Sequence, residues 1–261
     1  MRQKEVVAMF AKNWKCAYVV LFAVTIVVGA SASLEASTIV WGEATAMSAG
    51  TDVSTNGTSV FAYNVGGDDA TINGVLFKSY KWDGLETTHT DGSFTSSVTA
   101  GQGLYCYDSF GAGSLTPAAY ADLGTTAAYV AYTDSSMVLT MSDLTVGATY
   151  EVQFWVQDAR GEGLGNTGGY DTLSSTAGAE TTSVDVDFDQ DSADTNDNYV
   201  IGVFVADATT QVVSVTGTGT AGAAPAQMNG IQLRQIPEPS SVAMLGTGLI
   251  GLLAYAWRKR K

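Results

Sequence analysis

The sequence has little of what most enzymes and disulfide-stabilised domains use. Its 261 residues include one histidine, two cysteines and four prolines. A Ser-His-Asp triad could use only His89, which is most simply a surface residue, and the motifs of zinc proteases, α/β-hydrolases and P-loop proteins are absent. Cys16 precedes an apolar run, so we expect no internal disulfide for Cys106. These absences favour a non-catalytic domain, although a two-carboxylate glycosidase, which needs only paired acids, stays open.

Positive charge is also scarce in the middle of the chain. Eight of the 12 lysines and arginines lie in the first 15 and the last four residues. Residues 37–236 hold 4 basic and 23 acidic residues, a net charge of −19. Such a domain repels phosphate backbones, which excludes nucleic acid as a partner, and it can attract divalent cations.

The first 32 residues have the three-part pattern of a secretory signal peptide. Four basic residues fall within residues 1–15, residues 17–30 are apolar and uncharged, and Ala30-Ser31-Ala32 fits a cleavage site. The apolar run is shorter than the roughly 20 residues that a membrane-spanning helix needs. We therefore predict a signal peptide at residues 1–32 and an exported protein; an uncleaved N-terminal anchor is the alternative.

Residues 37–235 have the pattern of short strands separated by turns. In residues 150–157 (YEVQFWVQ), apolar side chains alternate with a mostly polar set, which is typical of a half-buried strand. Asn-Gly, Asp-Gly and Gly-Gly pairs mark turns, and residues 117–123 (PAAYADL) are the best short helix. The pattern predicts one all-β domain, an antiparallel β-sandwich or barrel.

Residues 144–156 (LTVGATYEVQFWV) resemble a recurring loop-and-strand. In jelly-roll, carbohydrate-binding-like modules, an L-x-x-G-x-x-Y turn leads into a core strand. The resemblance implies a jelly-roll β-sandwich, although the same spacing occurs in fibronectin-like sandwiches.

Sugar binding needs aromatic platforms beside planar polar groups, and one stretch could supply both. By alternation Trp155 shares a face with Gln157, and Asp158 and Arg160 follow. These four residues are therefore the candidate ligand-binding residues. Alternatively, Trp155 packs beneath a helix or loop or between sheets, and Asp158 and Arg160 form an ion pair. Other aromatic residues that could contribute are Trp41, Tyr80, Trp82, Tyr105, Tyr107 and Tyr170.

A run of aspartates suggests a calcium site. Carboxylate oxygens are the ligands that Ca²⁺ prefers, but Ser192 and Asn198 replace the glycine and glutamate that an EF-hand loop needs. Alternatively, the aspartates form a solvated acidic strand edge that discourages edge-to-edge pairing. The candidate calcium ligands are Asp187, Asp189, Asp191 and Asp194.

The last 26 residues, 236–261, have the pattern of a targeting segment. Residues 240–257 carry no charge and would form a helix of about 27 Å, enough to span a bilayer's hydrocarbon. The basic residues that follow would hold that end in the cytoplasm. The rigid tripeptide before the helix is Pro237, Glu238 and Pro239, and the basic end is Arg258, Lys259, Arg260 and Lys261.

This order of tripeptide, apolar helix and basic end resembles the PEP-CTERM sorting signal of Gram-negative bacteria. The resemblance implies recognition by exosortase, a membrane transpeptidase that cuts near the tripeptide and passes the protein onward. It also implies a protein held at the inner membrane before processing and then placed at the cell surface or in the extracellular matrix, often beside exopolysaccharide. An ordinary single-span anchor is the alternative.

Three functions remain open from the sequence. The first is a non-catalytic surface or biofilm-matrix protein whose jelly-roll domain binds polysaccharide. The second is an extracellular glycan-active enzyme that depends on carboxylates. The third is a purely structural matrix protein. No cofactor is required by any of them, and calcium is a possible ligand.

Overall fold

The computed structural model describes the β-sandwich domain and a few residues near the C-terminus. The described residues are 37–98, 102–108, 110, 115–130, 136–158, 169–177, 179–187, 198–219, 225–237, 255 and 257–259. All of them belong to one compact unit, Ala36–Lys261.

Within these residues there are seventeen strands, one complete α-helix and one short 3-10 helix, and Tyr255, Trp257 and Arg258 are also helical. The helix α1 spans Ala118–Thr125, and the 3-10 turn spans Gly50–Asp52. The strands are β1 (Val40–Trp41), β2 (Thr45–Ala46), β3 (Thr58–Val65), β4 (Ala70–Ile72), β5 (Val75–Tyr80), β6 (Thr88–Asp91), β7 (Phe94–Val98), β8 (Leu104–Tyr107), β9 (Ala127–Val130), β10 (Ser136–Met141), β11 (Thr149–Val156), β12 (Gly169–Ala177), β13 (Glu180–Asp187), β14 (Asn198–Val205), β15 (Gln211–Gly219), β16 (Gln227–Met228) and β17 (Gly230–Ile236).

Eight principal strands form two sheets in jelly-roll order. The first sheet holds β14-β11-β17-β3 and the second holds β13-β12-β15-β10 as neighbours. Numbered along the chain from β3 to β17, these strands lie in the orders 6-3-8-1 and 5-4-7-2, the two interlocked Greek keys of a jelly roll. Shorter strands extend both sheets, and each pairing is antiparallel except that of β3 with β5. The predicted antiparallel jelly-roll sandwich is confirmed.

The turn before β11 has the geometry that its sequence suggested. Gly147 has a φ of +85°, which favours glycine, and its N–H donates to the carbonyl of Ala206 at 2.7 Å. The hydroxyl of Tyr150 accepts a hydrogen bond from the N–H of Thr145 at 2.8 Å. These bonds hold the loop against the start of β11 and against Ala206, which follows β14.

One face of β11 supplies the core between the sheets. Its alternate apolar residues Tyr150, Val152, Phe154 and Val156 are all buried there, as predicted. They pack with inward residues of the second sheet, such as Leu139 of β10.

The opposite face of β11 is buried too, which corrects the expectation of a half-buried strand. A second apolar cluster, which includes Trp155, Phe77 and Leu123, packs on this outer face. Leu123 belongs to α1 and Phe77 to β5, so the helix and a strand near the edge of the same sheet cover this face.

Polar side chains on the same face are covered by residues 48–57. Gln153 accepts a hydrogen bond from the Ser54 N–H at 3.0 Å and donates to the Asp52 carbonyl at 2.8 Å. Arg234 of β17 donates to the carbonyls of Thr55 at 3.1 Å and Gly57 at 2.9 Å. A buried polar side chain is tolerated when its hydrogen bonds are made, which explains why a polar stripe lies under this segment.

A third, three-stranded sheet has the order β16-β9-β8. It joins the sandwich through Asn229, between β16 and β17, whose N–H donates to the Trp155 carbonyl at 3.0 Å. Its inner residues, such as Leu104 and Val130, belong to the main core.

The predicted targeting segments fall almost entirely outside the described residues. This is true of the signal peptide at residues 1–32 and of the apolar run at 240–257, apart from Tyr255 and Trp257. In the part of the chain that the structure describes, no helix has both the length and the apolar character needed to cross a bilayer.

Candidate functional site

The outer face of the three-stranded sheet carries a group of aromatic side chains. Tyr105 of β8 lies directly opposite Tyr129 of β9, and their rings stack with centroids 5.7 Å apart and an interplanar angle of 24°. Tyr107 meets Tyr129 edge-on at 6.4 Å and the buried Phe110 at 5.3 Å. The side chain of Tyr107 is 42% exposed. We call Tyr105, Tyr107 and Tyr129 the tyrosine face.

Strand alternation produces this face. In the sequence LYCY of β8, Leu104 and Cys106 point to the core, which leaves Tyr105 and Tyr107 on the other side. Burial raises the pKa of the Cys106 thiol to about 11, so the thiol stays protonated at neutral pH and is a poor nucleophile. Cys106 is thus a small, partly buried residue packed against the core.

Next to the tyrosine face lies a group of buried polar side chains. Gln227 of β16 is opposite Tyr129 in register, so it shares the face of the tyrosines. Its side chain donates to the Gln157 carbonyl and to Asn229 Oδ1, the latter at 3.1 Å. We call the set the amide–carboxyl cluster; its members, each 0% exposed, are Gln157, Asp158, Asp171, Gln227 and Asn229.

Asn229 ties this cluster to the end of α1. Its amide donates to the carbonyls of Gly124 at 3.0 Å and Thr126 at 2.8 Å, while its Oδ1 accepts the Gln157 N–H at 2.8 Å. A Cβ at Gly124 would lie 2.2 Å from Gln157 Oε1, so a larger residue there would displace the Gln157 side chain. The helix end, β11 and β16 are thereby fixed relative to one another.

Asp171 is the most strongly perturbed group of the cluster. It points inward from β12, and its Oδ2 accepts the Gln227 N–H at 3.0 Å. Burial raises the pKa of Asp171 well above its ordinary value of 3.8, and this one hydrogen bond opposes the effect only in part. Burial therefore favours the neutral form of this carboxyl.

The raised pKa of Asp171 makes a prediction for stability. The folded protein keeps this proton where the unfolded chain has lost it, so stability from this group is complete below pH 3.8 and declines as the pH rises towards the folded pKa. The slope is about 1.4 kcal/mol per pH unit. Asp171→Asn should remove this loss. The free energy of unfolding of the variant should therefore increase relative to that of the wild type as the pH rises.

Denaturant unfolding of the two proteins at several pH values between about 4 and 8 measures the difference. Asp185→Asn is the matched control, because Asp185 is exposed on β13 and accepts a bond from Thr172 at 2.7 Å. If wild type and Asp171→Asn differ by the same free energy at every pH, the proton is not held as described.

A concave pocket of about 330 Å³ adjoins the tyrosine face. Asp108, which follows Tyr107, lines it, and so does Thr126, which precedes the first residue of β9. Lys81 forms an ion pair with Asp68 at its rim. We call it the acidic pocket; the carboxylates among its lining residues are Asp68, Asp69, Asp108 and Asp122.

The position of Trp155 corrects one prediction. It is 0% exposed, lies edge-on to Phe77 at 5.5 Å, and donates from Nε1 to the Tyr120 hydroxyl at 3.2 Å. A ring enclosed beneath α1 has no free surface on which a sugar could stack. The alternative interpretation, that Trp155 packs beneath a helix, is the one that holds.

The other predicted ligand-binding residues have different outcomes. Gln157 and Asp158 lie together in the amide–carboxyl cluster, whereas Arg160 lies outside the described residues. Whether these residues bind a ligand stays a prediction.

The calcium prediction also rests largely on undescribed residues. Asp189, Asp191 and Asp194 lie outside the described part, and only the backbone of Asp187 is described, at the end of β13. Across the residues that the structure does describe, no three His, Cys, Asp or Glu side chains are grouped to hold a metal ion. The calcium site stays a prediction.

The sequence did not reveal Tyr129, Gln227 and Asn229 as members of a site. The sequence AAYV of β9 carried a usable signal, because strand alternation places the Tyr129 side chain on the opposite face from its two neighbours. No local pattern could show that β9 pairs with both β8 and β16.

Comparison with known proteins identifies the C-terminal segment. Residues 235–261 match the PEP-CTERM protein-sorting motif, which is 27 of the 261 residues. The motif marks the chain for processing by an exosortase, a membrane enzyme, and for a surface location. No curated protein matches the chain.

Solved structures show partial similarity to the chain at low identity, with TM-scores below 0.5. A β-glucuronidase of Bacteroides uniformis is 13% identical, with a TM-score of 0.45, over 68% of this chain and 18% of the enzyme. The ANXUR2 extracellular domain from Arabidopsis thaliana is 16% identical, with a TM-score of 0.41, over 69% of this chain and 49% of that domain. The chain thus spans about a fifth of the first protein and half of the second.

Proposed function

We propose that this chain is an exported, exosortase-sorted surface or matrix protein that binds polysaccharide without catalysis, through the tyrosine face. The observation that carries the proposal is the stacked tyrosine group on the three-stranded sheet, next to a fixed set of amides and carboxyls. The sorting motif at residues 235–261 supports the location.

Tyrosine rings suit this role because they combine a large apolar surface with a polar hydroxyl, and their positions are held by few rotatable bonds. Tyr107 offers the most surface, at 42% exposure, while Phe110 and Tyr129 pack against its ring. The rings are therefore preorganised, which lowers the entropy lost on binding.

Tyr107→Ala is expected to weaken polysaccharide binding roughly tenfold, since burying such a ring against a ligand contributes on the order of 1–2 kcal/mol. Binding of the exported protein to exopolysaccharide from its own host can be measured by pull-down and by titration. Leu76→Ala is the control, because Leu76 is 52% exposed on β5 and does not belong to the tyrosine face.

Equal binding by wild type and Tyr107→Ala would contradict the placement of the site. A wild type that binds no polysaccharide would leave a purely structural matrix protein as the better description. Loss of matrix cohesion in a deletion strain would then be its expected phenotype.

One observation favours a glycan-active enzyme as a second candidate. Asp158 and Asp171 are both buried, and a carboxyl with a raised pKa, such as that of Asp171, has the property of a general acid. Release of reducing ends from exopolysaccharide, lost in both Asp158→Asn and Asp171→Asn, would support this candidate. Absence of turnover by the wild type would remove it.

A further inference from the structure

We propose that the end of the domain from which the C-terminal segment leaves rests on the lipid headgroups of the membrane before processing, with the tyrosine face directed away from the bilayer. This inference uses the membrane-anchored stage that the sorting motif implies, and it does not depend on polysaccharide binding. It follows from where the chain leaves the domain, from the short distance to the apolar run, and from the side chains exposed at that end.

The chain enters and leaves the domain at the same end of the first sheet. Ile236, the last residue of β17, lies opposite Thr149 in register, and Thr149 lies opposite Val205, the last residue of β14. The Ser37 hydroxyl donates to the Val205 carbonyl. Because neighbouring strands are about 4.8 Å apart, the two points fall within roughly 15 Å of each other. We call the end of the first sheet that carries these four residues the exit end.

The tyrosine face lies at the opposite end of the sandwich. β17 runs from Gly230 to Ile236, which is about 20 Å at roughly 3.3 Å per residue. Gln227, which is opposite Tyr129 in register, precedes Gly230 in the chain. The three-stranded sheet therefore joins β17 at the end remote from the exit end. A domain whose exit end is against the bilayer presents its tyrosine face outward.

The chain between β17 and the apolar run is too short to hold the domain far from the bilayer. The uncharged run at 240–257 starts four residues after Ile236, and four extended residues span at most about 14 Å. The headgroup region takes up roughly 5–8 Å on each side of the hydrocarbon. The remaining gap, under about 10 Å, is narrower than an α-helix with its side chains. A protein partner does not fit beneath the exit end, which leaves lipid as the occupant.

The exit end presents uncharged and partly apolar side chains. The end of β17, Pro237, the start of β3 and the turn before β11 form a concavity of about 460 Å³ there, and none of its described lining residues is charged. Val146 in this turn is 47% exposed, and Val205 is 40% exposed. Asp143 and Asp207 lie in the adjoining turns and do not line the concavity. Because charged groups lose hydration near a bilayer, this end of a domain with a net charge of −19 suits that position.

The exposed valines would hold a free domain to a membrane only weakly. Burial of each in the headgroup boundary contributes roughly 1 kcal/mol, since part of each side chain is already covered by the protein. The anchored tail changes this, because a tethered contact forms at an effective concentration in the millimolar range. We therefore expect the contact to be populated while the chain is anchored and to be lost when the tail is removed.

Reconstitution of the exported chain, with its tail intact, in phosphatidylcholine vesicles tests this inference. A fluorophore is attached at Thr145→Cys in a chain whose native cysteines are replaced by alanine, and the vesicles carry a nitroxide at the level of the headgroups. We expect at least about twofold quenching of this label. Leu85→Cys is the matched control, because Leu85 is 58% exposed and precedes Glu86, which forms a bridge with Leu104 of the three-stranded sheet. Its label should not be quenched.

A charge at the exit end should separate the domain from the lipid. Val146→Asp should remove the quenching at Thr145→Cys, because a carboxylate would have to enter the headgroup boundary. Val146 is an exposed turn residue, so the substitution should leave the fold intact. Leu85→Asp changes the net charge equally at the other end of the sandwich and should leave the quenching unchanged.

Several outcomes would overturn the inference. Equal quenching of the two labels, or quenching of neither, would show that the domain has no fixed orientation or stands away from the bilayer. Quenching that survives Val146→Asp would show proximity imposed by the tail alone, without a contact. A label at Thr145→Cys that is shielded only when the transpeptidase is reconstituted with the chain would assign this surface to the enzyme. None of these measurements involves polysaccharide, so failure here leaves the proposed function to its own test.

Discussion

Replacing Pro237, Glu238 and Pro239 with alanine is expected to abolish exosortase processing and to keep the whole population at the inner membrane. These residues form the tripeptide of the matched sorting motif, at residues 235–261. Without it, the apolar run at 240–257 and the basic end would still act as a membrane anchor, because neither depends on the tripeptide. The change thus separates anchoring from transfer.

Cell fractionation and intact-mass measurement check this result. The wild type should appear at the surface or in the matrix without its basic end, and the variant should remain full-length at the membrane. Ser240→Ala, Ser241→Ala is the control, since these residues adjoin the tripeptide without belonging to it. Normal delivery of the triple-alanine variant would show that another element directs sorting.

Trp155→Ala is expected to lower the free energy of unfolding by about 3–5 kcal/mol, because it leaves a large cavity beneath α1. The lost contacts include the edge-on packing with Phe77 and the hydrogen bond to Tyr120. A loss of this size is a large part of the 5–15 kcal/mol that typically stabilises a domain. Trp155→Phe keeps part of the packing and should cost less.

Denaturant unfolding of the exported protein measures the loss. Val203→Ala, on the neighbouring strand β14, is the control; Val203 is 40% exposed, so its truncation should change stability by about 0.5 kcal/mol or less. A loss below about 1 kcal/mol for Trp155→Ala would contradict the enclosure of Trp155 in the second apolar cluster.

The sandwich was predictable because its signals are local. Alternation over residues 150–157, paired turn residues and the short helix at 117–123 each correspond to an element of the structure. The L-x-x-G-x-x-Y turn was informative because Gly147 adopts a conformation that favours glycine.

The misreading of β11 has a physical cause. Its second face looked solvent-facing because it carries Glu151 and Gln153, yet both are buried. Their hydrogen-bond partners lie about a hundred residues earlier, in Ser54 and Asp52, and no local pattern records such pairing. Trp155 shares this face, so it is enclosed with them and cannot be a platform.

The candidate site was hidden for a similar reason. Tyr105, Tyr129 and Gln227 come from three distant segments and meet only through the pairing of β8, β9 and β16. Gln157 and Asp158 could be selected because they follow a strongly patterned strand. Their aromatic neighbours could be identified only from the strand register.

The last strand, β17, lies in the interior of the first sheet, between β11 and β3. It ends at Ile236, so the sorting tripeptide begins with no spacer. During vectorial export the sheet cannot close until this final segment has emerged on the far side of the membrane, which delays folding to the end of translocation. We expect the folded domain to lie directly beside the tripeptide when the transpeptidase acts on it. Inserting a flexible linker after residue 236 would therefore change the access of the transpeptidase to its cleavage site without altering the recognition sequence.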